Sequence, residues 1–150
     1  MKYLILVRHG EYGLFSKEKD LLPEGVVQIK DLAKNLDSYV SGHTLSILNS
    51  TATRCRSSAK ILEEAFHCPS YDEEVLNTEL NLPDCEHVLG NIQKILSVVD
   101  TLILVTHAEY VRNLPSYIAY ELWSRNDMPK DVEYGCAVVI DMESRNIIYI

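Results

Sequence analysis

The sequence predicts an α/β fold: a three-layer αβα sandwich with a mostly parallel central sheet and helices on both faces. Short runs of consecutive apolar residues, the mark of strands buried on both sides, alternate with longer segments whose apolar residues recur at helical spacing. That alternation closes most readily as parallel strands joined by helices packed above and below the sheet. A third observation concerns charge. Arg8 and His9, then Arg54, then His107 each follow an apolar run, at the carboxyl edge of the sheet where ligands settle in folds of this class.

The elements follow in order. Tyr3 to Val7 reads as a fully buried strand. Pro23 to Val40 carries Val26, Ile29, Leu32, Ala33, Leu36 and Val40 at helical spacing with Asp31, Lys34 and Asp37 between them, an amphipathic helix. Pro23 suits its first turn, whereas Leu22 is a poor N-cap. Leu45 to Asn49 is a second strand and Ala52 to Phe66 a second helix. Val75 and Leu76 are expected as a short edge strand. Val88, Leu89, Ile92, Ile95, Leu96 and Val99 mark a third helix, and Leu102 to Thr106 a third strong strand. Val111, Leu114, Ile118 and Leu122 predict a fourth helix that Pro115 should kink or divide. Ala137 to Ile140 and Ile147 to Ile150 form a closing pair around a turn at residues 143–146.

Composition narrows the function. A chain of 150 residues, 47% hydrophobic and without repeats or linker-like stretches, fits one domain over residues 1–150 with an ordinary core. Its longest apolar run falls far short of the ~20 residues that span a bilayer. Met1-Lys2-Tyr3 leads directly into a strand-like run without the features of an export signal. The formal net charge is −8, and the basic residues are scattered, so neither nucleic acid nor an anionic membrane is an expected partner. Cys55, Cys68, Cys85 and Cys136 form no Cys-x-x-Cys pair and no zinc pattern. They read as reduced thiols of a cytoplasmic protein.

The three strand ends bring together a specific chemistry. Two arginines offer forked donors that match phosphoryl oxygens. Of two histidines in one pocket, the neutral one can attack phosphorus while the other donates a hydrogen bond to an equatorial oxygen. Phosphoryl transfer asks the protein mainly to position groups and stabilise charge, and a histidine nucleophile gives a covalent phosphohistidine that water hydrolyses. Gly10 would let the backbone approach the phosphate. Nothing in this scheme needs a metal or another cofactor. The ordinary alternatives are a buried histidine satisfied by hydrogen bonds and arginines paired with carboxylates.

"LVRHGE" at 6–11 resembles the signature of the histidine phosphatase superfamily, also called phosphoglycerate mutase-like. "NSTATRCRSSAKIL" at 49–62 is similar to its second block and "LVTHAEYVRNL" at 104–114 to its third. "LLPEGVVQIKDLAKNL" at 21–36 resembles the helix entry between the first two. The blocks occur in the family's order and span most of the chain. The resemblance implies that His9 is the phosphorylated nucleophile and that Arg8, Arg54 and His107 complete the phosphate pocket. About fifty residues separate Arg54 from His107, too few for the cap of larger members. This looks like the small branch that includes SixA-type phosphohistidine phosphatases, with an open pocket suited to a phosphate carried on a protein.

Two departures stand out. Leu22 replaces the usual threonine at the helix entry. In "NTELNLPDCE" (77–86) Leu82 stands where larger members carry an acid, with Glu79, Asp84 and Glu86 nearby. An alkoxide leaving group needs a general acid, whereas an imidazole needs it less. The missing acid therefore points to a phosphoramidate substrate. The alternatives are a phosphatase for small phosphate esters with Glu79 as proton donor, and a phosphate-binding module without turnover. A mutase is disfavoured. Glu11 is a further candidate for the pocket wall, and Tyr12 and Phe15 for its mouth. Arg56, His43, His67 and His87 are expected at the surface. Nearby arginines should hold His9 neutral into mildly acidic pH.

Overall fold

Leu4, Ile5, Leu6 and Val7 are fully buried. They form the middle of strand β1 (Tyr3–Arg8), near the centre of the molecule. The computed structural model describes residues 2–150; Met1 lies outside them. Helix α1 (Pro23–Val40), strand β2 (Leu45–Asn49), helix α2 (Thr53–Phe66) and strand β3 (Ser70–Asp72) follow. After them come helix α3 (Cys85–Leu96), strand β4 (Thr101–Thr106), helix α4 (Ala108–Trp123) and strands β5 (Ala137–Asp141) and β6 (Asn146–Tyr149). The six strands make one sheet in the order β3-β2-β4-β1-β5-β6. The first four run parallel, while β5 and β6 are antiparallel to their neighbours.

Side chains along a strand point alternately to the two faces of a sheet, and here each face has its own core. Leu4, Leu6, Leu102, Leu104, Val138 and Ile140 pack with α3 and α4. Ile5, Val7, Ile47, Ile103, Val105 and Val139 pack with α1 and α2. A strand buried on both sides has no polar face to offer, which is why its sequence is continuously apolar rather than alternating.

Two local readings of the sequence are corrected by the structure. Val75 and Leu76 do not form an edge strand. They lie in a 3-10 turn (Glu74–Leu76), and Leu76 is buried because it plugs the α3–α4 core. Its carbonyl accepts from Thr106 Oγ1 at 2.8 Å, which ties the turn to the end of β4. The edge strand is instead Ser70–Asp72, paired with β2. Pro115 does not divide α4, which runs as a single helix through it. Proline's missing N–H leaves the carbonyl of Val111 without its helical donor, and the buried ring packs into the core in return.

Leu22 is indeed no cap: α1 starts without a side-chain acceptor. The backbone compensates, because Leu22 N–H donates to the Glu11 carbonyl at 3.0 Å and Tyr12 bridges to Leu21. The entry to α1 is thus bolted to the loop that leaves β1. The contact is close enough to require glycine on both sides. A Cβ on Gly10 would meet the Gly25 carbonyl oxygen at 2.6 Å, and one on Gly25 would collide with the Glu11 carbonyl.

Candidate active site

The carboxyl ends of the three central parallel strands lie level. Arg8 is in register with Thr106, and Asn49 with Val105. Beyond the strands the ladder continues for one more bond on each side. His9 N–H donates to the Thr106 carbonyl at 3.2 Å, and Ser50 N–H to the Val105 carbonyl at 2.9 Å. His9, Ser50 and His107 are therefore fixed by sheet hydrogen bonds or by the strand itself, while Arg54 arrives from the first turn of α2. The four side chains predicted from sequence, Arg8, His9, Arg54 and His107, line one cleft of about 250 Å³ together with Tyr12, Thr78, Glu79, Ala108, Glu109 and Tyr134.

His9 is 3% exposed. Its Nδ1 lies 2.9 Å from the Gly10 carbonyl oxygen. A carbonyl can only accept, so the ring proton sits on Nδ1 and the lone pair on Nε2, which receives a hydrogen bond from Arg54 Nε at 3.2 Å. Burial is the main cause that drives the His9 pKa down to about 3, reinforced by the charges of Arg54 and Arg8, while the Gly10 hydrogen bond pulls the other way. The sequence reading credited the arginines; desolvation outweighs them here. His107, also 3% exposed, accepts at Nδ1 from Arg54 Nη2 at 3.2 Å and pairs through Nε2 with Ser50 Oγ at 2.8 Å. Its pKa falls to about 4, again through burial first and Arg54 second, with Glu109 and Glu79 opposing.

Arg54 thus donates to both imidazoles, and its Nη2 also meets Glu79 Oε1 at 2.8 Å. This hydrogen bond holds the Glu79 carboxyl below its ordinary range. In this state Glu79 is an anion and has no proton to give. It is placed by Asn77, whose Oδ1 accepts from Glu79 N–H and whose Nδ2 donates to Thr51 Oγ1. Arg8 donates through Nη1 to the Val132 carbonyl at 2.8 Å, while its buried Nε has no hydrogen-bond partner. The first turn of α4 opens onto the cleft at Ala108 and Glu109 without a side-chain cap, adding the positive end of a sixteen-residue helix.

Gly10 is not among the residues that line the cleft; its missing side chain makes room for Gly25. It serves the site through its backbone, accepting from His9 Nδ1 and donating to Ser58 Oγ at 3.1 Å. Ser58 in turn donates to the Arg54 carbonyl. Glu11 also stays out of the cleft, its N–H bonded to Gln28 Oε1. Asp84 caps α3, and Glu86 lies in that helix's first turn. Leu82 is exposed. Arg56 faces away and pairs with Asp72.

Sequence reasoning left Tyr12 undecided and did not select Ser50, Thr78, Glu109 or Tyr134. Tyr134 has one sequence signal: it precedes Gly135, whose φ of 66° marks a turn that only glycine makes readily. Gly135 N–H reaches the carbonyls of Arg8 and His9 at 3.2 and 3.0 Å, which lays the segment before β5 across the end of β1.

No family model and no curated protein matches the sequence. Solved structures do match. One is the protein histidine phosphatase SixA complexed with tungstate, with a TM-score of 0.76 and 17% identity over 99% of this chain and 94% of that one. The histidine phosphatase fold is the fold of this chain. A structure named as SixA from Agrobacterium tumefaciens matches at a TM-score of 0.70 and 18% identity, covering 99% and 97% of the two chains. A mycobacterial glucosyl-3-phosphoglycerate phosphatase matches at 0.73 and 12%, covering 100% and 97%. In each case the match takes in almost the whole of both chains. No helix among the described residues is long and apolar enough to cross a membrane, and no group of His, Cys, Asp or Glu among them could hold a metal ion.

Proposed function

We propose that the protein is a metal-independent phosphatase, acting as one catalytic domain in the cytoplasm, that works through a phosphohistidine on His9. One observation carries the reading: a neutral imidazole presents its Nε2 lone pair to a cleft in which two guanidinium groups, Arg8 and Arg54, stand beside it. The unpartnered Arg8 Nε and the open first turn of α4 are what an arriving phosphoryl anion would satisfy.

The chemistry follows from the contacts. The incoming phosphoryl oxygens take over Arg54, which lifts its hydrogen bond from His9 Nε2 and frees the lone pair. Nε2 attacks phosphorus in line, the bond from phosphorus to the leaving group breaks, and its electron pair departs with that group. The imidazole becomes N-phosphorylated, with its remaining proton on Nδ1 held by the Gly10 carbonyl. Water then attacks phosphorus, inorganic phosphate leaves, and His9 returns neutral. His107 takes a proton on Nδ1 from the incoming phosphoryl monoanion, keeps its Nε2 hydrogen bond to Ser50 Oγ, and donates from Nδ1 to an equatorial oxygen. Each step places donors where negative charge develops.

The ionised Glu79 favours a leaving group that needs little acid assistance, which makes a protein phosphohistidine the leading substrate. Four large exposed side chains, Leu14, Phe15, Leu80 and Leu82, sit on the loops that carry Tyr12 and Glu79, a rim suited to a protein surface more than to a free metabolite. All four cysteines are unpaired, in keeping with a reducing compartment. A second reading has its own support, since Glu79 lines the cleft. When substrate draws Arg54 away, Glu79 loses its cation and faces an anion, both of which raise its pKa. It then becomes able to protonate the oxygen of a small phosphate ester.

The test is phosphate release and 31P NMR with phosphoramidate and p-nitrophenyl phosphate, in EDTA, for wild type and His9→Ala. The proposal expects turnover and a phosphohistidine signal that survive the chelator and vanish in the variant. A folded protein that binds vanadate yet never becomes phosphorylated would instead be a phosphate-binding module.

A further inference from the structure

Both cleft arginines are roofed by a tyrosine. Arg54 lies with its guanidinium carbon 4.4 Å from the centre of the Tyr12 ring, and Arg8 lies 4.0 Å from that of Tyr134. The two rings meet edge to face, 6.1 Å apart at 81°. The His9 ring sits beneath both, 5.2 Å from Tyr12 and 5.7 Å from Tyr134. The nucleophile thus lies at the bottom of a wedge with aromatic walls.

We infer that Tyr12 and Tyr134 select phosphoryl groups carried on a planar ring, an imidazole or a phenol, over those carried on an aliphatic alcohol. The inference rests on the phosphatase reading for its geometry. An in-line attack by Nε2 requires the leaving group to depart opposite the imidazole, out of the cleft that both tyrosines line. A flat ring leaving by that path has aromatic surface of the tyrosine pair to pack against, by face or by edge. A branched or hydroxylated aliphatic group makes neither contact and covers the phenol rings without matching them. The wedge also gives the open cleft a specificity that its small depth does not otherwise supply.

Affinity of phosphonates tests the wedge without any need for turnover. Phenylphosphonate and methylphosphonate carry the same anionic head and differ in the ring. Calorimetry on the wild-type protein is expected to show phenylphosphonate bound about 10-fold tighter, from aromatic contacts worth about 2- to 12-fold each. Tyr12→Leu and Tyr134→Leu should each reduce that ratio at least about threefold, while Tyr12→Phe and Tyr134→Phe keep it. A ratio near one in wild type would overturn the inference. So would leucine variants that weaken both phosphonates equally, because the rings would then only brace the arginines. Turnover supplies the second arm. kcat/KM for N-phosphoimidazole and for phenyl phosphate, each relative to a fluoroalkyl phosphate matched in leaving-group acidity to phenyl phosphate, should fall in the leucine variants. If nothing turns over and His9 stays unphosphorylated while the phosphonate ratio holds, the phosphatase reading fails and the wedge stands.

Discussion

The two buried imidazoles make the protein's stability depend on pH in a window where most proteins are indifferent. His9 and His107 have pKa values of about 3 and about 4 in the folded chain against 6.5 when exposed. Between those limits the unfolded chain binds protons that the folded chain refuses, so stability is full above about pH 6.5 and falls as the pH drops. From pH 7 to pH 5 each histidine costs about 2 kcal/mol, and the pair about 4 kcal/mol, at 1.36 kcal/mol per pKa unit. That is a large part of the ~5–15 kcal/mol by which a domain is stable. The carboxylates held low, Glu79 among them, weaken the fold only at still lower pH. Urea unfolding at both pH values, in phosphate-free buffer, measures the difference for wild type, His9→Asn, His107→Asn and the double variant. Each single substitution should remove about half of the pH dependence, and the double variant should have almost none of it. The three other histidines are shared by all four proteins and cancel. A double variant that lost as much stability as wild type over this window would show that these imidazoles titrate normally, and the account of the nucleophile would fall with it.

Four further outcomes are expected. His9 phosphorylation in a single turnover should be nearly as fast at pH 5 as at pH 7, where an imidazole of ordinary pKa would lose roughly 25-fold in its neutral fraction; a fall of that size in a rapid-quench experiment would refute the neutral nucleophile. Glu79→Gln should tighten phosphate binding about fivefold, by freeing Arg54 and removing an anion from the cleft, and should slow alkyl phosphate esters but not phosphoramidate. Weaker phosphate binding by calorimetry would show that Glu79 supports the site and does not compete within it. Ser50→Ala leaves His107 Nε2 buried without its partner and should cost about 1–3 kcal/mol in urea unfolding; a change below 0.5 kcal/mol would count against the assigned bond. Gly25→Ala forces a Cβ against the Glu11 carbonyl and should cost about 1–3 kcal/mol or more, while the same change at Gly90, where a Cβ meets open space, should be neutral or mildly stabilising.

The sheet was legible in the sequence wherever a strand is buried on both faces. Leu4–Val7 and Leu102–Val105 could be little else. β3 was not legible, because an edge strand of three residues with partly or fully exposed side chains carries no hydrophobic pattern. Val75 and Leu76 misled for the complementary reason: burial in a tight turn looks, in one dimension, the same as burial in a short strand. The continuity of α4 through Pro115 also lies beyond local propensity, since the packing of Val111, Leu114, Pro115 and Ile118 in the core decides it. At the site, the four residues on strand ends or the first helical turn were found because backbone position fixes them. Tyr134 comes from a segment that the fold alone brings to the cleft, whereas Glu109 and Thr78 stand beside selected residues, His107 and Glu79, without a signal of their own. Gly10 was correctly read as a place of close approach, but the approaching group is the backbone of Gly25.

The bond from Gly135 N–H to the carbonyls of Arg8 and His9 has a consequence for how the chain folds as it is made. His9 leaves the ribosome well before the segment around Gly135 that lies across the end of β1. β1 is flanked by β4 and β5, so until those later strands are made it is an unpaired apolar strand with no partner on either edge. Such a strand is a target for aggregation until residues beyond 137 emerge. The growing chain therefore has to shield β1, through a chaperone or by transient collapse, and the cleft around His9 is assembled only once β4, β5 and the segment around Gly135 are in place.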